Sequence, residues 1–167
     1  VGASALMLGS NEGQKQMYLP KIVDGTAIFT LAIDEGPRHD PSRLGVRVTK
    51  DGSGYSLSGD KNFVLEGMTA THLVVAVGSD EASRLFIVDS TAAGVSREPL
   101  ETLDSRGYAN IHFDAVSLDE DDAIGGIGEL ERLLDRARAA AAAEMLGTGS
   151  QAFDMTLDYL KTREQFG

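Results

Sequence analysis

Val46-Arg47-Val48-Thr49-Lys50-Asp51-Gly52-Ser53-Gly54-Tyr55-Ser56-Leu57 is the stretch that decides the fold class. Val46 and Val48 alternate with Arg47 and Thr49, the period of a strand with one buried face. Asp51-Gly52-Ser53-Gly54 then supplies a hairpin turn, since glycine enters positive φ without a steric penalty. Tyr55 and Leu57 resume the alternation on the far side. Downstream, Lys61 to Leu65 follows Gly59, and His72 to Val77 and Arg84 to Val88 are two short strands joined by a polar turn around Ser79-Asp80-Glu81. Ile111, Phe113 and Ala115 close the set. Short strands at this spacing, separated by turns, predict a central antiparallel β-barrel or sandwich. Upstream, Ala27 to Ile33 reads as a buried strand, and Glu35 to Ser42 reads as an irregular loop because it holds Gly36, Pro37 and Pro41.

The flanks are helical. Ser10 or Asn11 suits an N-cap, Glu12 opens a short helix through Met17, Tyr18 and Leu19, and Gly25 ends it. A long helix is predicted from about Gly128 to Thr162, where Leu130, Leu133, Leu134, Ala137 and Ala141 recur at helical spacing. Ala139 to Ala143 with Gly147, Gly149, Ser150 and Ala152 gives it a small-residue face that lets another helix approach closely. The chain opens within a helix and stops just after a long one, so it is expected to be part of a larger protein. The fold class is α+β, with a helical end over residues 1–26, a middle β domain over 27–124, and the first helix of a helical bundle over 125–167.

Composition narrows the function classes. A net charge of −11, from 15 basic and 26 acidic residues, opposes binding to a phosphate backbone, so no nucleic-acid partner is expected. An anionic small ligand would need a local basic patch. No apolar run approaches the ~18 residues that span a bilayer, and Val1 to Gly9 lacks the positive region of a signal peptide. The absence of cysteine rules out disulfides and thiolate chemistry and fits a cytoplasmic location. His39, His72 and His112 show no ligand spacing, so no metal is expected. Gly147-Thr148-Gly149-Ser150-Gln151-Ala152 matches a dinucleotide fingerprint in letters, but no strand precedes it and its glycines fall inside a helix. The acidic run Asp119 to Asp122 lacks the spacing of a calcium loop and reads as a solvated linker.

Five stretches, in order, resemble the acyl-CoA dehydrogenase family. Gly13-Gln14-Lys15-Gln16-Met17-Tyr18-Leu19-Pro20-Lys21 with Gly25 is similar to the end of that family's N-terminal helical domain. Leu31 to Asp40 stands where the family has its "TEP…GSD" flavin loop. Gly54 to Lys61 resembles its glycine-bounded hairpin. Asp104-Ser105-Arg106 with Ile111-His112-Phe113-Asp114-Ala115-Val116 resembles its late strand. Tyr159 to Gly167, ending Arg163-Glu164-Gln165-Phe166-Gly167, is very close to its "R.qFG" helix. The resemblance implies FAD in a cleft between the β domain and the C-terminal helices, and α,β-dehydrogenation of an acyl-CoA thioester. An electron-transferring flavoprotein or similar acceptor, and a homo- or hetero-oligomer, are the implied partners.

Carried over residue by residue, the resemblance gives flavin-binding roles to the main chain of Ala32, Ile33 and Asp34. Glu35 matches the family's Glu, which puts Asp34 at the usual Thr position. His39 stands where a Ser touches flavin phosphate or substrate, and an ordinary loop histidine is the competing reading. The family's "W-I-T-N-G" becomes Phe63-Val64-Leu65-Glu66-Gly67. Phe63 preserves an aromatic wall, whereas Leu65 cannot donate the hydroxyl hydrogen bond, a loss of about 1 kcal/mol of flavin binding. Asp135 and Arg138 match a pair near the acyl-CoA moiety and are also placed for a simple i,i+3 ion pair. Arg163, Gln165 and Phe166 match a segment reaching the FAD of a neighbouring subunit, Arg being suited to pyrophosphate by its planar fork.

Most of the family places its catalytic Glu well beyond this signature, and a minority places it one residue before the helix arginine. That position is Ala137, with Glu131 and Glu144 about two turns away on either side. The catalytic base is therefore expected beyond Gly167, with none inside these residues. Two readings stay open: a segment of an active dehydrogenase, and a non-catalytic structural subunit of a heteromeric acyl-CoA dehydrogenase with weakened flavin binding.

Overall fold

The computed structural model describes residues 1–78 and 83–167. The turn expected around Ser79-Asp80-Glu81 lies outside the described residues. The chain divides into two units, Val1–Leu133 and Leu134–Gly167.

The first unit begins with α1 (Gly2–Gly9) and α2 (Glu12–Val23). Asn11 caps α2: its side chain accepts from the Gln14 amide while the Gln14 side chain accepts from the Asn11 amide, a complete capping box. The Gln14 amide group also donates to the carbonyls of Asp121 and Ala123, tying α2 to the far end of the unit.

Two four-stranded sheets follow. The first, in the order β1 (Phe29–Ala32), β4 (His72–Val77), β5 (Arg84–Asp89), β8 (Ala123–Gly126), is mixed, because β1 runs parallel to β4. The second, in the order β2 (Arg47–Asp51), β3 (Gly54–Val64), β7 (Ala109–Leu118), β6 (Val95–Pro99), is antiparallel throughout. The α+β class stands; of the expected barrel or sandwich, the two sheets pack on one core without closing into a barrel, joined by an isolated bridge between Arg47 and Gly78, and the β1–β4 pairing is parallel rather than antiparallel. Strands β6 and β8 were not anticipated. Each is short, and neither carries clean alternation.

The two sheets differ in their burial, and the sequence shows it. Leu73 to Val77 is buried at every position, as in a strand covered on both faces. Leu73, Val75, Val77, Phe86 and Val88 join Leu57, Ile111, Phe113, Val116 and Leu118 of the second sheet in one core. On its other face the first sheet receives α1, whose Ala5 and Leu6 are buried. The second sheet is covered on one face only, so β7 alternates: Ala109, Ile111 and Phe113 point inward.

At Ala115 that alternation slips. Leu57 pairs with Val116 but Gly59 pairs with Phe113, so β7 carries an extra residue. Ala115 takes the left-handed conformation (φ 49°) and its amide donates to Ser58 Oγ. Val116 then replaces it as the inward residue, which corrects the expectation that Ala115 continues the buried set. The acidic run closes into a single 3-10 turn, Glu120–Asp122, leading into β8. The helix α3 (Ile127–Thr162) then begins. Its first turns belong to the first unit, with Leu130 and Leu133 buried.

The second unit is the remainder of α3 and the residues after it, in which Met145, Leu146, Phe153, Met155, Tyr159 and Leu160 are exposed. Gly147 and Gly149 lie inside this helix, so the dinucleotide-fingerprint reading has no strand to rest on.

The docking of α1 depends on a close approach. A Cβ placed on Gly9 would strike the Ile124 carbonyl of β8. Gly9→Ala is expected to lower the free energy of unfolding by about 2 kcal/mol, within the usual range for overpacking, as read from chemical denaturation.

Candidate functional site

Lys61 organises the site. It occupies an inward position of β3, where alternation calls for an apolar side chain, and it is fully buried. Its ammonium donates to the Ile33 carbonyl at 3.0 Å and to Glu35 Oε1 at 2.6 Å. The same Glu35 carboxylate accepts from the amides of Gly45 (2.5 Å) and Val46 (2.9 Å). Glu35 therefore fastens both ends of the loop that leaves β1 and returns to β2. A buried lysine without such partners would be expensive to hold as a cation.

Burial pushes the Lys61 ammonium below its usual pKa, with the Glu35 carboxylate opposing that shift. For Glu35, burial is the largest influence and raises its pKa. The hydrogen bonds from Lys61, Val46 and Gly45 together outweigh it, and the carboxyl ends below its ordinary 4.5.

A second set of bonds seats the loop on the neighbouring strand. The Asn62 amide donates to the Asp34 carbonyl (2.7 Å) and its side chain to the Glu35 carbonyl (2.9 Å). Here β3 is bulged: Lys61 pairs with Ile111 and Val64 with Ala109, so Asn62 and Phe63 oppose Asn110 alone. Phe63 adopts a left-handed backbone (φ 52°), and its amide donates to Asn110 Oδ1 at 3.2 Å. Bulges of this kind re-aim a side chain. The Phe63 ring is 57% exposed, with Tyr108 edge-on at 5.8 Å between centroids. Leu65 is also exposed, and its carbonyl is held by Thr30 Oγ1 at 2.5 Å.

The structure thus brings Ile33, Asp34, His39, Phe63, Val64 and Leu65 into one region. The side chains of Ala32, Ile33 and Val64 face the core, which leaves only their main chain for contact with a ligand. His39 Nδ1 lies 3.0 Å from both Asp34 carboxylate oxygens, and the Asp40 amide donates to the same carboxylate. Between Glu35 and Gly45 the loop encloses a cleft of about 690 Å³ that Arg38, Asp40 and Arg43 also line. On the outer face of the second sheet, His112 pairs with Asp60 at 2.7 Å.

The remaining candidates belong to the second unit. Asp135 and Arg138 form the exposed i,i+3 ion pair, at 2.8 Å. The Arg163 guanidinium stands 5.4 Å from the centre of the Tyr159 ring, and Gln165 and Phe166 are exposed. Glu144 of this unit is exposed, and so is Glu131 of the first unit. No group of three or more metal-ligating side chains occurs among the described residues.

Sequence reasoning passed over Lys61, Asn62, Thr30 and Asn110. Only Lys61 left a signal, as a charged residue on the buried phase of an alternating strand. The other three act through hydrogen bonds across the fold that no local pattern announces.

No family model matches the chain. Curated relatives do. The mitochondrial isovaleryl-CoA dehydrogenase of Solanum tuberosum is 31% identical over 172 residues, covering 95% of this chain and 42% of that protein. Among solved structures, glutaryl-CoA dehydrogenase of Mycobacterium smegmatis superposes with a TM-score of 0.92 at 27% identity, covering 98% of this chain and 44% of that one. A variant of the Tcur3481-Tcur3483 steroid ACAD is 38% identical with a TM-score of 0.87, covering 99% of this chain and 44% of that one. The chain spans about two fifths of the length of the curated relatives it matches.

The buried pair has a measurable signature. Lys61→Met is expected to cost about 3 kcal/mol in urea denaturation, because it leaves the Glu35 carboxylate without its cation. The double variant Lys61→Met with Glu35→Gln should lose less than the two single losses added together. Since folding lowers the Glu35 pKa, its contribution is complete above pH 4.5 and is lost as pH falls through the lowered folded value. Glu35→Gln should flatten that part of the acid unfolding profile; an unchanged acid limb would contradict the assignment.

Proposed function

We propose, from the premise that the chain belongs to the acyl-CoA dehydrogenase family, that the whole protein is an FAD-dependent dehydrogenase acting on an acyl-CoA thioester. The observation that carries this reading is the bulged end of β3 locked to the loop after β1. It presents an exposed aromatic ring, Phe63, and the loop it is locked to encloses a cleft lined by two arginines.

The donor set suits a flat, partly apolar ring with polar edges. Phe63 and Leu65 offer apolar surface, with Met68 also exposed nearby in sequence. When bound, FAD would supply hydride acceptance, and the protein would supply position and electrostatics. Lys61 and Asn62 hold the main chain of Ile33 to Glu35 in place. Leu65 cannot donate a side-chain hydrogen bond to the ring. Asp135 with Arg138, and Arg163, Gln165 and Phe166, are assigned to the acyl-CoA moiety and to the FAD of a neighbouring subunit on the family resemblance. The residues 1–26, 27–124 and 125–167 are assigned to three successive domains on the same ground.

The thioester α proton is too weakly acidic for a free carboxylate, so the site must stabilise the developing enolate. The base is assigned outside these residues, since Ala137 stands at one family position for it. Electrons would pass to an electron-transferring flavoprotein or similar acceptor, in a homo- or hetero-oligomer. No helix of the described residues is long and apolar enough to cross a membrane. Cytoplasmic residence is part of the same reading.

A second reading is favoured by Leu65 together with the 38% identity to the steroid ACAD. In it the chain belongs to a structural subunit of a heteromer, with weak flavin affinity of its own.

Spectroscopy separates the two. The full-length protein is expected to purify yellow or to take up FAD with quenching of flavin fluorescence. Phe63→Ala should weaken FAD about tenfold, and Leu65→Thr should strengthen it roughly fivefold, the scale of one net hydrogen bond. A preparation that stays colourless in excess FAD until a partner is co-expressed would select the structural subunit. The 167-residue chain alone is expected to show no dehydrogenase turnover, and turnover from it would refute the placement of the base.

A further inference from the structure

The loop between Glu35 and Val46 carries an unusual distribution of satisfied and unsatisfied charge. Both carboxylates lining its cleft are occupied. Glu35 accepts from Lys61, Gly45 and Val46, and Asp40 accepts from the amide and hydroxyl of Ser42. The two guanidinium groups lining the same cleft, Arg38 and Arg43, make no side-chain hydrogen bond or ion pair among the described residues. In a chain of net charge −11, a cleft where Glu35 is neutralised by Lys61 and two guanidinium groups face the single remaining carboxylate of Asp40 keeps a net positive charge, so an anion gains there rather than loses.

The loop is also preorganised. One carboxylate fastens its two ends, Pro37 and Pro41 restrict its interior, and the Arg43 amide donates to the Asp40 carbonyl. A ligand would therefore meet a frame that is already ordered, and would repay little conformational entropy. At about 690 Å³ the cleft has the size of a small-molecule site.

We propose that Arg38 and Arg43 form a clamp for the phosphate or pyrophosphate of a nucleotide-bearing ligand. Planar guanidinium groups suit this role because each can contact two phosphate oxygens. The inference rests on the functional reading above only for the identity of the ligand, since FAD and an acyl-CoA both carry a pyrophosphate. The clamp itself stands on the cleft.

The test is calorimetric titration of the full-length protein with ADP, inorganic pyrophosphate, coenzyme A and FAD at low and moderate salt. Arg38→Ala and Arg43→Ala are each expected to weaken at least one of these by about tenfold. Arg→Lys at the same positions should restore part of the affinity, and binding should weaken as salt rises. A loss confined to FAD would identify the phosphates as the cofactor's, and a loss confined to coenzyme A as the substrate's. Either result supports the clamp. Both arginines are exposed, so neither substitution is expected to disturb the fold, and circular dichroism of the variants checks this. If FAD and coenzyme A bind while the double variant Arg38→Ala with Arg43→Ala binds all four probes unchanged, the clamp is wrong and the dehydrogenase reading survives. If ADP or pyrophosphate binds through the arginines while FAD and coenzyme A do not, the clamp stands and that reading falls. Absence of saturable binding of any probe would overturn the clamp.

Discussion

A single cation inside the β core sets the geometry of everything around it. Lys61 takes a position that strand alternation reserves for an apolar side chain, and its ammonium can stay there only if oxygen atoms come to it. The Ile33 carbonyl and the Glu35 carboxylate do so, which draws the segment after β1 across the end of β3. Because the same carboxylate also takes the Gly45 and Val46 amides, a twelve-residue excursion, Glu35 to Val46, becomes a closed frame rather than a free loop. Satisfying one buried charge thus positions the aromatic wall, the cleft and the main chain between them.

The two bulges show how the remaining geometry is built. Both lie on the β3–β7 ladder, and both contain a non-glycine residue in the left-handed region, Phe63 in one and Ala115 in the other. Their roles differ. At Ala115 the extra residue lets β7 change phase, so that Val116 and Leu118 keep filling the core. At Phe63 it turns a bulky ring outward from a strand whose neighbours on either side, Lys61 and Val64, are buried. Backbone strain of this kind is concentrated where a protein contacts its ligands.

Much of the fold was legible because its signals are local. The β2–β3 hairpin announced itself through the Asp51-to-Gly54 turn, the cap of α2 through Asn11 and Gln14, and α3 through its leucine spacing. The mixed topology was not legible: the parallel pairing of β1 with β4 joins residues forty-three positions apart, and the sequence of either strand reads the same for parallel or antiparallel neighbours. Nor was β8, whose four residues include two glycines. Of the candidate site, the aromatic at Phe63 and the loss of a hydroxyl at Leu65 were legible only through the resemblance to the acyl-CoA dehydrogenase family, which singles out those two positions. The lock between Lys61 and Glu35 did not, because its partners lie twenty-six residues apart and meet only when the core closes.

The pairing of β3 with β7 has a consequence for how the chain reaches this structure. Tyr55 must find Leu118, and Lys61 must find Ile111, before the second sheet has a centre. No hairpin connects these strands, so closing the intervening chain costs entropy before any of the contacts return it. The helices and the β2–β3 hairpin can form early and locally. The sheet core must wait for the distant strand, and topologies dominated by such non-local pairings fold on the scale of milliseconds to seconds. Until β7 arrives, the inner edge of β3 is open and Lys61 remains in water, so the burial of that charge belongs to the late steps of folding.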